Sequence, residues 1–393
     1  MAAPFRIPIG PYHPSLKEPE HFIVTVDGEE IVDVDFRIGY IHRGIERGFQ
    51  EMTWLQGIYL AERICGICSH AHTTCYSENV EKLQELEAPP RGKYIRTIVA
   101  ELERIHSHVL WLGVAAHEIG FDTLFMYTWR DRELVLDILE MISGNRVNYA
   151  MNTLGGVRRD IPNWMVDVIK RKLDALEERI KYYRKVCLTE PTIARRTVSR
   201  GILKTSDAIR LCAVGPTARA SNVDTDVRRD YPYAAYDEIP FNVVVRDECD
   251  VFARVLVRVD EVLEAINIIR YALDHLPEGP IRVKFPTRVK EGESMMRVEA
   301  PRGELIHYTL SKGGPKPFRY KVRSPTLANV LSIKPMLMGG VIADIPIVIA
   351  SIDPCFSCTD RVTIIDVNKR VKKVIPMEKL RILARRGEGE RTA

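Results

Sequence analysis

The chain has 393 residues, 46% of them hydrophobic and 28% charged, with a formal net charge of +4. That balance excludes a disordered chain and supplies material for a sizeable core; no run of about 18 apolar residues offers a transmembrane helix. The charge is too small to argue for a nucleic-acid partner, and the basic surplus is local, because residues 362–393 carry nine Lys or Arg against four Asp or Glu.

The start, MAAPFRIPIGPYHP, lacks a basic stretch followed by an apolar core, so a cytoplasmic address is the default expectation. Residues 21–40 alternate or run apolar around Asp27-Gly28, a hairpin signal. Helical periodicity follows over 71–87 until Pro89-Pro90. Residues 94–118 predict a long amphipathic helix with Ile95, Ile98, Leu102, Ile105, Val109 and Leu112 in one stripe, and His106 and His108 on its two flanks. Helices are predicted at 130–142, 164–188, 206–213 and 247–276, the last ending before Pro277. Residues 281–310 are turn-punctuated and β-branched, 325–340 read as helix, and 341–352 form an apolar run. No repeat or long linker divides the chain. The expectation is an α+β fold, predominantly α-helical, in a single domain over 1–361. Within it lie a β-rich start at about 21–45, a helical bundle at about 46–280 and a small β portion at about 281–310, followed by a basic extension over 362–393.

Two C-x-x-C pairs stand out, Cys65/Cys68 in RICGICSHAH and Cys355/Cys358 in DPCFSCTDR. Paired cysteines in a large chain with no secretory signal point to metal or redox chemistry rather than structural disulfides. If the pairs meet, four thiolates require a cation. Soft sulfur suits zinc, iron–sulfur clusters, copper(I) or nickel, and spacing alone leaves these open, a structural zinc site included. Arg63, His70 and His72 flank the first pair, and Asp353, Asp360 and Arg361 the second. A closed structural site needs none of them, whereas a reactive one needs bases and orienting groups. Cys75, Cys187, Cys212 and Cys249 are isolated and are expected to be buried apolar thiols.

RICGICSxxH at 63–72 and DPCxxCTDR at 353–361 resemble the two signature motifs of the nickel–iron hydrogenase large subunit. GPYHP at 10–14, YIHRGIE at 40–46, LERIHSH at 102–108, GGVRRD at 155–160, VGPTAR at 214–219 and EAPRG at 299–303 extend the resemblance over nearly the whole chain. They resemble the membrane-associated, energy-converting branch (formate hydrogenlyase and ferredoxin-linked types), which is related to the quinone-site subunit of respiratory complex I. The complex I relatives lack the cysteine tetrad.

The resemblance implies the large-subunit fold, a central helical bundle with small β segments. It also implies reversible 2H⁺ + 2e⁻ ⇌ H₂, physiologically H₂ evolution coupled to ion translocation. By the same resemblance Cys65 and Cys355 are terminal nickel ligands, and Cys68 and Cys358 bridge nickel to an iron carrying CN and CO ligands. Arg302 lies over the metals, with Asp353 orienting it. Glu18 is the acidic proton gate, with Glu20 its rival two residues away. His72 hydrogen-bonds near a bridging sulfur. His106 and His108 either line a proton path or cap the helix flank. Glu46 matches an acidic residue that holds a distal divalent ion, magnesium, although Arg361 stands where the family has its second, histidine ligand.

Implied partners are a small iron–sulfur subunit carrying the electron-exit cluster, membrane-arm subunits, nickel-insertion proteins and a maturation protease cutting after Arg361. The implied location is peripheral, on the cytoplasmic face of the membrane. The extension, with a strand and an amphipathic helix in its pattern, is then an assembly segment or else a permanent docking tail. Two other readings stay open: a complex-I-like quinone or sulfur reductase subunit without nickel, and a zinc-stapled structural subunit.

Overall fold

The computed structural model describes residues 4–359 and the backbone of two short strands at 364–366 and 371–373. Asp360, Arg361 and the helix expected in the extension lie outside the described residues. Three strands open the chain: β1 (Phe5–Ile9), β2 (His21–Asp27) and β3 (Glu30–Arg37), antiparallel in that order. The β2–β3 turn is the expected one, with Gly28 at φ 62°. β1 is an addition to the expectation. Pro8 breaks the donor pattern there, which an edge strand tolerates.

Helices α1 (Ile45–Glu51), α2 (Trp54–Glu62) and α3 (Ser69–Gln84) follow, then the long α4 (Pro90–Glu118) and α5 (Asp122–Ser143). Pro90 begins α4 rather than merely ending α3, because a first-turn N–H has no intrahelical acceptor to lose. The α4 stripe from Ile95 to Leu112 is wholly buried, as its spacing dictates. A Cβ on Gly113 would sit 2.4 Å from Thr128 Oγ1, so this glycine lets α5 close onto α4.

A two-residue ribbon, β4 (Asn152–Thr153) with β5 (Gly156–Val157), leads to α6 (Asn163–Thr189). The charged α6 buries only Ile169, Leu173, Leu176, Ile180, Tyr183 and Cys187, a single face at helical spacing. Short helices α7 (Pro191–Thr197), α8 (Thr205–Arg210), α9 (Pro216–Arg219) and α10 (Val227–Asp230) connect it to α11 (Val251–Asp274). The Asp250 side chain caps α11 through Ala253 N, so the helix begins four residues later than periodicity suggested. Helices α4, α5, α6 and α11 pack on one another as the central bundle.

The β portion is larger than expected. β6 (Val289–Ala300) and β7 (Gly303–Gly314) form a hairpin of two twelve-residue strands, and β8 (Arg319–Arg323) extends it. α3 lies across β6 and β7. The stretch 325–340 is broken into α12 (Pro325–Asn329), a single 3₁₀ turn and α13 (Ile333–Leu337) rather than one helix. The apolar run 341–352 becomes α14 (Ile345–Ser351), which packs against α4 and α11 and delivers the second cysteine loop. In the extension, β9 (Ile364–Asp366) and β10 (Val371–Lys373) pair antiparallel.

Two of the four isolated cysteines depart from expectation. Cys75 and Cys187 are buried, but Cys212 is exposed and Cys249 half-exposed. Both stand in connecting turns with left-handed backbone (φ 53° and 62°) rather than on an apolar helix face.

Candidate metal centre

The link from α2 to α3 carries Cys65 and Cys68, and the chain leaving α14 carries Cys355 and Cys358. Asp353, at φ 53°, and Pro354 turn the second loop back toward the first. The four sulfurs converge: Cys65 Sγ is 3.4 Å from Cys355 Sγ, Cys68 Sγ 4.0 Å from Cys358 Sγ, and Cys355 Sγ 3.0 Å from Cys358 Sγ. All four are buried. The C-x-x-C turn aims the N–H groups of Ile67 and Cys68 at Cys65 Sγ, each at 3.3 Å. Thr326 Oγ1 accepts from Cys355 N at 3.0 Å and anchors the second loop.

His72 lies one helical turn after Cys68, and its Nε2 is 3.5 Å from Cys358 Sγ. Arg302 sits in the tight β6–β7 turn. A Cβ on Gly215 would come within 2.3 Å of Gly303 Cα, so the loop before α9 presses directly on that turn. Arg302 donates from Nε to Asp353 O at 2.8 Å and from Nη2 to Asp353 Oδ1 at 2.9 Å. Asp353 therefore grips the guanidinium as expected. Arg302 Nη1 and Asp353 Oδ2 are buried without partners among the described residues. Glu18, on the β1–β2 loop, accepts Ser357 N at 2.9 Å and so reaches the second cysteine loop. Its carboxyl is raised above the ordinary range by burial and by the nearby Cys355 sulfur. Glu20 is buried, accepts from His21 N, and is pushed up to about 8 by burial.

A cavity of about 350 Å³ adjoins these groups, lined by Glu18, Arg302, Asp353 and Cys355 on the reactive side and mainly by apolar walls such as Trp111 and Ile349 elsewhere. Burial pushes the His72 imidazole down to about 4. Among the sulfurs, bonding between neighbours holds Cys65 and Cys355 below the usual thiol range and Cys68 and Cys358 well above it. Four thiolates this close cannot all ionise without a cation.

The donor set suits a soft transition metal rather than magnesium or calcium. The unpartnered Arg302 Nη1 and the cavity beside Cys355 suit an open, anion-bearing group. A closed tetrathiolate zinc site requires neither.

Other expected residues fall elsewhere. Glu46 stands apart from the sulfurs. Its Oε1 accepts Val322 N at 3.1 Å, and Arg319 and Lys321 lie 3.8 and 3.5 Å from its Oε2. Among the described residues, the metal-competent groups of three or more are drawn from the four cysteines and His72, and none includes Glu46. Its carboxylate thus faces two cations. His106 Nε2 meets Ile67 O at 3.1 Å and props the first cysteine loop, while His108 Nε2 bonds Glu261 at 2.8 Å. His70 contacts Arg96 O at 3.0 Å, away from the sulfurs.

Several contributors were not legible as site residues. Arg43 donates to Arg63 O (2.9 Å), Ile64 O (2.6 Å) and Ser357 O (3.0 Å), tying both cysteine loops together. Glu103 accepts His70 N at 2.6 Å and Ala71 N at 2.9 Å, capping α3 at the first loop. Behind the site lies a buried ionic network. Arg219 pairs with Glu261 and Glu299, each at 2.8 Å, and Arg228 pairs with Asp226 and Glu101 at 2.6 and 3.1 Å. Arg43, Glu103 and Arg219 all lie in the short motifs YIHRGIE, LERIHSH and VGPTAR. Their signal was present, but not their contacts.

Residues 43–114 match the family model described as nickel-dependent hydrogenase. Residues 118–289 and 283–361 match that of the respiratory-chain NADH dehydrogenase 49 kDa subunit. The chain is 44% identical to the membrane-bound hydrogenase subunit alpha of Pyrococcus furiosus, over 95% of this chain and 91% of that one. It is 39% identical to formate hydrogenlyase subunit 5 of Escherichia coli over 95% of this chain, spanning 66% of that protein's length. Among solved structures, a chain of the archaeal membrane-bound sulfane sulfur reductase superposes with a TM-score of 0.87 at 31% identity, covering 91% of this chain and 98% of that one.

Proposed function

Because the chain belongs to the family that joins nickel-dependent hydrogenase large subunits to the 49 kDa subunit of respiratory-chain NADH dehydrogenase, we propose that it is the catalytic subunit of an energy-converting hydrogenase. The reaction is 2H⁺ + 2e⁻ ⇌ H₂. The observation that carries this reading is the convergence of all four cysteines, with sulfur separations of 3.0 to 4.0 Å, beside a cavity lined in part by Arg302 and Glu18.

Cys65, Cys68, Cys355 and Cys358 would hold a nickel–iron group, which when bound supplies heterolytic H₂ chemistry and exchanges the electron pair. Arg302 would offer its Nη1, unpartnered among the described residues, to an anionic group held there, and it keeps its charge because Asp353 neutralises it in the interior. Glu18 accepts and returns the proton. Its raised affinity keeps it exchangeable nearer neutrality than an exposed carboxylate. His72 sets the electronics of Cys358 through its ring nitrogen.

Among the described residues no second cluster of cysteines could store electrons. Electrons therefore leave to a partner, in this reading a small iron–sulfur subunit. The Pyrococcus furiosus relative is a membrane-bound hydrogenase subunit and the superposed chain comes from a respiratory membrane complex, and no helix of the described chain is long and apolar enough to cross a membrane. Peripheral docking on membrane-arm subunits follows, and cleavage after Arg361 would release the basic extension once nickel is in place.

The neighbouring sulfane sulfur reductase keeps a second reading in view, a reductase of the same fold without nickel. Metal analysis of protein purified from its native host decides between them. One nickel per chain, infrared bands of cyanide and carbonyl, and H₂/D⁺ exchange are expected. Zinc alone, or no metal, with no exchange activity, rejects the hydrogenase reading.

A further inference from the structure

Beyond His72, a line of buried polar side chains runs away from the sulfurs into the β portion. His72 Nδ1 meets His307 Nε2 at 3.1 Å, and His307 Nδ1 meets the Tyr320 hydroxyl at 2.6 Å. The three side chains come from α3, β7 and β8, and each is 0% exposed. Asn79 Nδ2 donates to His307 O at 3.3 Å, and the Tyr320 ring is fixed by stacking on Phe49 with centroids 4.1 Å apart. No part of the functional reading requires His307 or Tyr320, yet burying three polar groups in single file is costly unless every one is satisfied.

Hydrogen-bond bookkeeping gives the line a direction. A metal-bound sulfur is a thiolate and can only accept. His72 must then carry its proton on Nε2, leaving Nδ1 bare. A bare Nδ1 needs a donor, so His307 carries its proton on Nε2, and its own bare Nδ1 takes the Tyr320 O–H. Each ring carries a single proton in this scheme, and each is fully buried.

We propose that Tyr320, His307 and His72 form a one-way hydrogen-bond relay that presents a fixed N–H to the Cys358 thiolate, with His307 and Tyr320 as positioning residues. The relay locks the His72 ring and strengthens its donation. Less electron density on a ligand sulfur favours the reduced state of the metal group. The inference rests on Cys358 being a metal-bound thiolate, as in the function proposed above.

The test uses the full-length chain with ¹⁵N-labelled histidine, loaded with zinc alone, so that ring-nitrogen shifts can be read in a diamagnetic protein. Wild type is expected to show His72 and His307 protonated on Nε2, each with an accepting Nδ1. His307→Gln keeps an N–H for His72 and an oxygen for Tyr320, whereas His307→Leu keeps neither. The His72 Nδ1 signal should retain its accepting shift in the Gln variant and lose it in the Leu variant.

In the nickel-loaded enzyme, His307→Leu should move the midpoint potential to a more negative value, and His307→Gln should restore it. Tyr320→Phe preserves the ring stack and removes only the hydroxyl. It should strip the accepting shift from His307 Nδ1 and carries the test if the His307 variants do not fold. A His72 protonated on Nδ1 in the zinc form overturns the relay, as do Leu and Gln variants with the same potential. A native protein without nickel bears on the preceding reading and not on this one, which the zinc form still decides.

Discussion

The Glu18 carboxylate accepts the backbone N–H of Ser357 at 2.9 Å, joining the β1–β2 loop to the turn between Cys355 and Cys358 across more than three hundred residues of chain. This contact separates Glu18 from its rival. Glu20, two positions on, points its carboxyl at its own strand through His21 N. Replacing Glu18 with Gln keeps the shape and removes the exchangeable proton. H₂ evolution is expected to fall by about 10²-fold or more, the usual worth of a positioned acid–base group, with nickel content unchanged. Full H₂ evolution by the variant would move the proton gate elsewhere.

Glu20 has its own pH signature. Its folded-state carboxyl is pushed up to about 8 from 4.5 by burial, so the fold favours the protonated form. The associated stability is complete below pH about 4.5 and is lost as pH rises through about 8. Glu103, also raised by burial to about 8, acts in the same direction. Glu20→Gln is expected to gain about 1–3 kcal/mol over wild type at pH 8 and little at pH 4. Denaturant titrations at the two pH values measure the difference, and equal gains at both would contradict the assignment.

Arg302→Lys retains the charge and loses the fork that holds Asp353 O and Oδ1 together. Nickel is expected to bind normally while turnover falls by roughly 10²-fold, the scale of losing one fixed donor at a reacting centre. Elemental analysis paired with H₂ assays checks this. A variant that loses metal and activity in parallel would instead mark Arg302 as part of the scaffold.

Arg43→Ala removes three hydrogen bonds that bridge the two cysteine loops. Metal affinity should weaken by about 10-fold, as for supporting groups around other metal sites. Competition with a chelator reads the affinity. Unchanged retention would show that the α3 and α14 anchors hold the loops by themselves.

Much of this protein can be read locally. The α4 stripe, the Asp27-Gly28 hairpin, the paired cysteines and the EAPRG turn declare themselves because each depends on a few neighbouring residues. Boundaries moved where a side chain captured a free backbone group, as Asp250 does at α11. The β portion runs past its expected end at 310 because the buried alternation of β7 continues to Ser311 and β8 pairs alongside it.

The sequence by itself determined the chemistry on offer: four soft ligands, a fixed cation in Arg302, acids at Glu18 and Glu20, and a mostly helical body to hold them. Only the tertiary structure decided which groups meet. It brought Glu18 rather than Glu20 to the second cysteine loop, turned Glu46 toward Arg319 and Lys321, set Arg43 across both loops and lined up His72, His307 and Tyr320. The reason is physical. Helix and strand periodicities follow from interactions a few residues long, whereas the partner of a buried polar group is fixed by the packing of distant elements and by the cost of leaving that group unsatisfied.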